Sequence, residues 1–338
     1  MRIHKFEGQD YKLPNALNDF QLRMYVHLIQ WKWKHLTTEP GTDRHLEYDA
    51  ILPDRYADEW PMLYAGLKSA IATHLQKFPF RIHTYFNHMA SSQAANINLF
   101  LPILLHPRVD AILGAINPQF SRLARDYLDN GWRIEFWDEG FGALKDKSDA
   151  AGTDSDLGIA YYNHADELCL WLVEHKLTEP EFTTCGGLKS KGRRDKVRHD
   201  CTKSFTAILA DKCTCYYHDV CRYRYWDITD AHRAFFVNHG KHTHCPFQGG
   251  MNQLWRNQLL ALGIEQDELQ PYEYAHVSVV RHPGNTSLDT TLAAYRELIG
   301  YSPKFSTFTS ADVTDAADQH GDDALRSWVA WYKDLYAL

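Results

Sequence analysis

Two short runs decide the fold: Asp154-Ser155-Asp156-Leu157-Gly158-Ile159-Ala160-Tyr161-Tyr162 and Leu168-Cys169-Leu170-Trp171-Leu172-Val173-Glu174-His175-Lys176. Both are apolar and strand-like, and Asn163-His164-Ala165-Asp166-Glu167 between them is polar enough to be a turn, so together they predict a β-hairpin. Folding the pair about the middle of that turn sets Asp156 opposite Glu174, give or take one residue of register. Alternation along a strand puts Glu174 and Lys176 on one face. Two carboxylates and an ammonium therefore converge at the edge of a hydrophobic sheet, where burying them without a task would be costly. Asp154 is the alternative partner if the register slips, and a purely structural Glu174–Lys176 ion pair is the alternative use.

Working outward, residues 16–35 carry Leu17, Phe20, Met24, Leu28 and Trp31 at helical spacing after Pro14-Asn15, and residues 60–78 offer a second helix. Residues 80–86 read as extended. Ser91 and Ser92 are helix-start residues, and the helix they begin runs towards Leu105 with Gln93 and Asn96 on one face. A further helix is predicted over 118–128, stopped by Asn130-Gly131, and a strand over 132–137. Beyond a polar loop at 140–152 and the hairpin, the chain predicts helices at 248–262, 288–299 and 322–335 and strands at 276–281 and 304–309. Gln253, Arg256 and Asn257 lie on the first of those helices, either lining a groove or merely covering the sheet. Neither an internal repeat nor a low-complexity segment interrupts this order.

A chain of 338 residues with formal net charge −7 is long enough for a substantial core and carries no global signature of a polyanion binder. Charge is nevertheless clustered. Lys189, Lys191, Arg193, Arg194, Lys196, Arg198 and Lys203 crowd one segment, a pattern suited to phosphates or to a solvated loop. Arg222-Tyr223-Arg224-Tyr225-Trp226 interleaves cations with aromatics, as base stacking can use and as a half-buried strand also would. Cys169 falls inside the apolar strand and reads as core. The other six cysteines, Cys185, Cys201, Cys213, Cys215, Cys221 and Cys245, share one segment with six histidines. Such clustering suggests structural Zn2+ or an iron–sulfur cluster ahead of disulfides, although Cys213-Thr214-Cys215 is no zinc knuckle and scattered buried thiols are the plainer account. The start of the chain lacks an apolar core, and no apolar run would span a bilayer. A cytoplasmic protein is the expectation.

Helix, strand, hairpin, helix, strand, with Asp156 on one hairpin arm and Glu174-His175-Lys176 on the other, resembles the PD-(D/E)XK nuclease superfamily. The Ser91–Ala94 helix start and the phrase Glu174-His175-Lys176-Leu177-Thr178-Glu179 are similar to a prokaryotic family of restriction endonucleases within it, as is Gln253-Leu254-Trp255-Arg256-Asn257. The likeness covers roughly residues 85–285. It departs in having Ser155 before Asp156 where the superfamily has Pro, and Gln93 where many members place an acid on the first core helix.

The resemblance implies an α/β (α+β) fold with a restriction-endonuclease-like core, a central mixed sheet flanked by helices. Residues 1–80 would be a helical N-terminal region and residues 81–338 the nuclease-like domain, with a Cys/His-rich insertion at about 183–247. It implies a metal-dependent DNA endonuclease, restriction or defence related, with Asp156, Glu174 and Lys176 catalytic. Asp156, Glu174 and the His175 carbonyl would hold Mg2+ or Mn2+. Gln93, Asp154 and Gln253 are additional active-site candidates, and Lys189, Lys191, Arg193, Arg194, Lys196 and Arg198 DNA-binding candidates. Oxygen ligands suit Mg2+, the ion activates water and polarises phosphate, and the lysine offsets developing charge. DNA is the expected partner, with a homodimer allowed for and no membrane. The competing reading is a non-catalytic nucleic-acid-binding protein held together by Zn2+ or an iron–sulfur cluster in the cysteine segment.

Overall fold

Two tight hairpins and a capped helix open the chain in this computed structural model, which describes residues 2–138, 142–146, 152–189, 199, 201–267 and 271–338. Strands β1 (Arg2–Phe6) and β2 (Gln9–Leu13) are joined by Glu7-Gly8, both at positive φ, as a type I′ turn requires. Helix α1 (Asp19–His35) begins at Asn18, whose side chain accepts from the Gln21 N–H while the Gln21 side chain accepts from Asn18. Strands β3 (Gly41–Asp43) and β4 (Leu46–Tyr48) form the second hairpin. There follow α2 (Leu67–Lys77), α3 (Ser92–Leu104), α4 (Val109–Ile116), β5 (Phe120–Leu123), β6 (Trp132–Phe136), β7 (Ser155–Asn163) and β8 (Leu168–Lys176). Four short helices, α5 (Gly186–Lys189), α6 (Phe205–Ala210), α7 (Tyr216–Asp219) and α8 (Tyr225–Ala231), lead to α9 (Met251–Gln266). The chain closes with β9 (Tyr274–Arg281), α10 (Asp289–Leu298), β10 (Phe305–Thr309), α11 (Ser310–His320) and α12 (Asp323–Tyr336).

The central sheet runs β10-β9-β8-β7, with β5 and β6 each pairing part of the outer edge of β7. The pairs β10–β9 and β9–β8 are parallel and the rest antiparallel, so the sheet is mixed. Every residue of β8 is buried, as a central strand covered on both faces must be. Its alternation sorts the core into two clusters. Cys169, Trp171 and Val173, with Leu157, Ile159 and Tyr161 of β7, pack under α1, α3, α4, α11 and α12. Leu168, Leu170 and Leu172, with Ala160, pack under α6, α8, α9 and α10. Glu174 and Lys176 continue the second row and so point towards α9. Met24, Leu28, Leu67 and Ile71 of the first eighty residues share the first cluster with Ile159 and Trp328.

The hairpin register is the one the sequence predicts. Leu157 pairs with Val173, which puts Asp156 level with Glu174. Gly158 is required there because a Cβ would stand 2.7 Å from the Phe136 ring on β6. The helices expected near residues 16–35, 91–105, 248–262, 288–299 and 322–335 all form.

Two expectations fail and a third holds only in part. Residues 118–128 are not a helix: Phe120 and Leu123 are buried as β5 against β7, the Leu123 N–H is held by Asp110 Oδ1 at 2.8 Å, and the helix is α4, upstream. Edge pairing outweighs local propensity at that point. Residues 80–86 run without regular structure to His83 and then turn, joining no sheet. Arg222–Trp226 is no strand either; Tyr225 and Trp226 start α8 and are buried in the second cluster, so they are not available to stack on a base.

Candidate active site

Asp156 is the second residue of β7. Ser155 ahead of it is buried, and its hydroxyl donates to the Val173 carbonyl across the ladder at 2.8 Å, pinning this end of the hairpin. The Asp156 carboxylate then accepts the His175 N–H at 2.6 Å, and its main-chain carbonyl accepts from Asn96 of α3 at 3.1 Å. Glu174 is 3 % exposed, and both of its oxygens are bonded. Its Oε1 accepts from Lys176 Nζ at 2.9 Å and Gln253 Nε2 at 2.6 Å, and its Oε2 from Asn257 Nδ2 at 2.7 Å. Gln253 and Asn257 are one turn apart on α9, so a single helix face fixes both oxygens. Three donors occupy three of the roughly four acceptor positions of a carboxylate, leaving one on Oε2.

Sequence reading missed Glu135. The pairs Ile134–Leu157 and Phe136–Ser155 bracket it, so Glu135 stands level with Asp156 on the strand edge opposite Glu174. Glu135, Asp156 and Glu174 thus form a row across β6, β7 and β8. A lone acid in the Trp132–Phe136 alternation was the signal, but only the pairing of β6 with β7 gives it meaning. Its φ of +50° is a conformation that side chains rarely adopt inside a strand.

The electrostatics follow from this row. The Asp156 carboxyl is held well above the usual carboxylate range, first by burial and then by the negative charges of Glu174 and Glu135, against which Lys176 and the His175 N–H act. Burial alone would lower the Lys176 pKa, but Glu174, Glu179 and Asp156 hold it above the ordinary lysine value, so it stays an ammonium. The His175 imidazole faces α3, its Nδ1 3.4 Å from the Ser92 carbonyl, and burial pushes it down to about 4. Only the backbone of His175 thus belongs to the carboxylate side.

Glu135, Asp156, Glu174 and Lys176 line a cavity of about 600 Å3, together with Arg81, His83, Gln93, Asp154, Glu179 and Gln253. Gln93 is not a surface residue: it is 6 % exposed and donates to Glu135 Oε1 at 2.7 Å. Asp154 sits at the rim, ahead of β7, and is exposed. The Glu179 carboxylate turns back to accept the Leu177 and Thr178 N–H groups. Arg256 lies outside the cavity and ties down the start of β7, donating to Thr153 Oγ1 at 3.0 Å and the Gly152 carbonyl at 2.6 Å.

Among the described residues no group of three or more His, Cys, Asp or Glu could by itself hold a metal ion. That statement covers the described cysteines, all seven of which are free thiols, and burial keeps Cys215 and Cys245 protonated. Mg2+ asks for less, because it takes one or two carboxylates and keeps several waters. Asp156 and Glu174 fit that demand. The cavity's carboxylates, Glu135, Asp154, Asp156, Glu174 and Glu179, outnumber Arg81 and Lys176 and would repel an anionic substrate unless cations were present. Of the basic cluster, Lys189 ends α5, while Lys191, Arg193, Arg194, Lys196 and Arg198 lie outside the described residues. Among the described residues no helix is long and apolar enough to cross a membrane.

Comparison with curated proteins returned no match, and neither did comparison with solved structures. A family model described as Restriction Endonuclease associating with ARP matches residues 27–337, a span that takes in α3, the whole central sheet and α9. The match agrees with the resemblance to a prokaryotic restriction endonuclease family, and it covers nearly the whole chain. The protein belongs to the family of restriction endonucleases associating with ARP.

Proposed function

We propose that the protein is a Mg2+-dependent endonuclease that hydrolyses phosphodiester bonds of DNA, in restriction or a related defence role. One observation carries the reading: half-buried Asp156 and buried Glu174 stand level across β7 and β8, with the Lys176 ammonium 2.9 Å from Glu174, inside one cavity. Asp156, Glu174 and the His175 carbonyl would hold the ion, with Mn2+ an acceptable substitute. Bound there, it would acidify a water and polarise the phosphate.

The chain's own residues do the rest. The His175 N–H fixes the Asp156 carboxylate, while Gln253 and Asn257 aim Glu174. Lys176 is a compact charge placed to offset the negative charge that builds on the phosphoryl oxygens. These groups act as a unit, so loss of one is nearly as damaging as loss of all. Purified protein is expected to cut plasmid DNA with Mg2+ or Mn2+, and Lys176→Ala to abolish cutting while leaving the circular dichroism spectrum intact. A panel of plasmid, linear, single-stranded and RNA substrates tests the DNA assignment, and equal cutting by wild type and Lys176→Ala rejects the mechanism.

A further inference from the structure

One wall of the cavity is the irregular segment ahead of α3 that carries Arg81 and His83. It owes its position to one side chain. The Gln93 amide, on the first turn of α3, accepts the His83 N–H at 2.8 Å and donates to the Arg81 carbonyl at 3.1 Å and to Glu135 at 2.7 Å. Both sides of Ile82 are thereby fixed to α3, and the clamp is tied to the carboxylate row. Arg81 is exposed, and its guanidinium makes no hydrogen bond or ion pair among the described residues. Lys176, the cavity's other fixed cation, is committed to Glu174. An unpaired guanidinium in a cavity rich in carboxylates has its donors free for an incoming anion, and its planar fork matches a phosphate.

We propose that Arg81 binds a backbone phosphate of the substrate beside the one that is cut, and that Gln93 is its positioning residue. The proposal rests on the reading above that the substrate is a nucleic acid. As an exposed, unpaired side chain Arg81 contributes little to folding, so Arg81→Ala should melt like wild type.

The test is the salt dependence of binding to a fluorescein-labelled DNA duplex by the full chain, with Ca2+ in place of Mg2+ so that binding is read without cutting. Arg81→Ala should reduce the slope of log affinity against log salt by about 0.9, or by about 0.7 on a single strand. Between 50 and 200 mM salt the wild type should then lose about 3.5-fold more affinity than the variant does. In cleavage, Arg81→Ala should raise KM with kcat nearly kept, the mark of uniform binding. Gln93→Leu should lower the slope by a similar amount, and the double variant should add nothing further. An unchanged slope and KM for Arg81→Ala overturns the proposal, as do additive effects of the two substitutions for the Gln93 part. Wild type that cuts DNA while Arg81→Ala is indistinguishable from it defeats this inference alone; wild type that neither binds nor cuts any nucleic acid defeats the functional reading as well.

Discussion

Asn257 offers the sharpest test of how the site is held. It is 2 % exposed, and its Nδ2 donates to Glu174 Oε2 at 2.7 Å, while Lys176 and Gln253 both bond the other oxygen. Asn257→Ala therefore strips Oε2 of its described partner and lets the carboxylate rotate about the two bonds to Oε1. A hydrogen bond to a charged group contributes about 1.5–3 kcal/mol, and about 1.4 kcal/mol is a factor of ten. The fraction of Glu174 in its ligating position should fall about 10- to 100-fold, the usual range for losing a partner that orients a metal ligand. Cleavage rate measured against Mg2+ concentration should show half-saturation displaced upward by that factor, with the protein still folded by thermal melting. A Mg2+ titration superimposable on that of wild type would refute the argument, and so would a lost rate at saturating Mg2+ with half-saturation unmoved.

Two further outcomes concern the scaffold. Gly158→Ala would drive a Cβ to 2.7 Å from the Phe136 ring, so β6 must shift; overpacking of this kind costs about 1–3 kcal/mol, a lowered melting temperature should register it, and an unchanged melt contradicts it. His276 is buried, with Tyr161 Oη 3.2 Å from its Nε2, and burial pushes its pKa down to about 3. Because the unfolded chain takes up this proton near pH 6.5 and the folded chain only near 3, the His276 contribution to stability should fall as pH drops from 6.5 and level off below 3. The loss is about 2 kcal/mol at pH 5. Urea midpoints at pH 7 and pH 5 check it, and a pH dependence unchanged in His276→Gln would show that His276 is not its source.

The hairpin was legible because its evidence is local: a period of two, a polar turn, and a register that puts Asp156 beside Glu174 once the turn is centred. Its neighbours were not. Glu135 matters only because β6 pairs with β7 across a long intervening stretch of sequence, a contact that no local pattern encodes. Gln93 was legible as a site candidate on the first core helix, but its clamp on Arg81 and His83 was not, because the segment that buries it has no regular structure to recognise. Residues 118–128 carried a plausible helix pattern and an Asn-Gly stop, yet an open sheet edge claimed Phe120 and Leu123, and Asn130-Gly131 became the turn into β6. α11 escaped notice because Ser310–His320 is rich in Asp and short of large apolar residues; its start is set by the reciprocal Thr309–Asp312 capping box. The aromatic run at 223–226 allowed either a stacking surface or a half-buried strand; aromatics bring more to a core, and the second cluster took Tyr225 and Trp226.

If Asp156 serves as a metal-holding carboxylate in a nuclease, Asp156→Asn must lose cutting. Asparagine keeps the shape and still offers an oxygen to the His175 N–H, so the hairpin end should stay closed while the charge is lost. Supercoiled plasmid incubated with wild type and Mg2+ should be nicked or linearised, and should stay intact with EDTA or with folded Asp156→Asn at the same Mg2+ concentration. Cutting by Asp156→Asn at the wild-type rate, or by wild type in EDTA, would contradict the account.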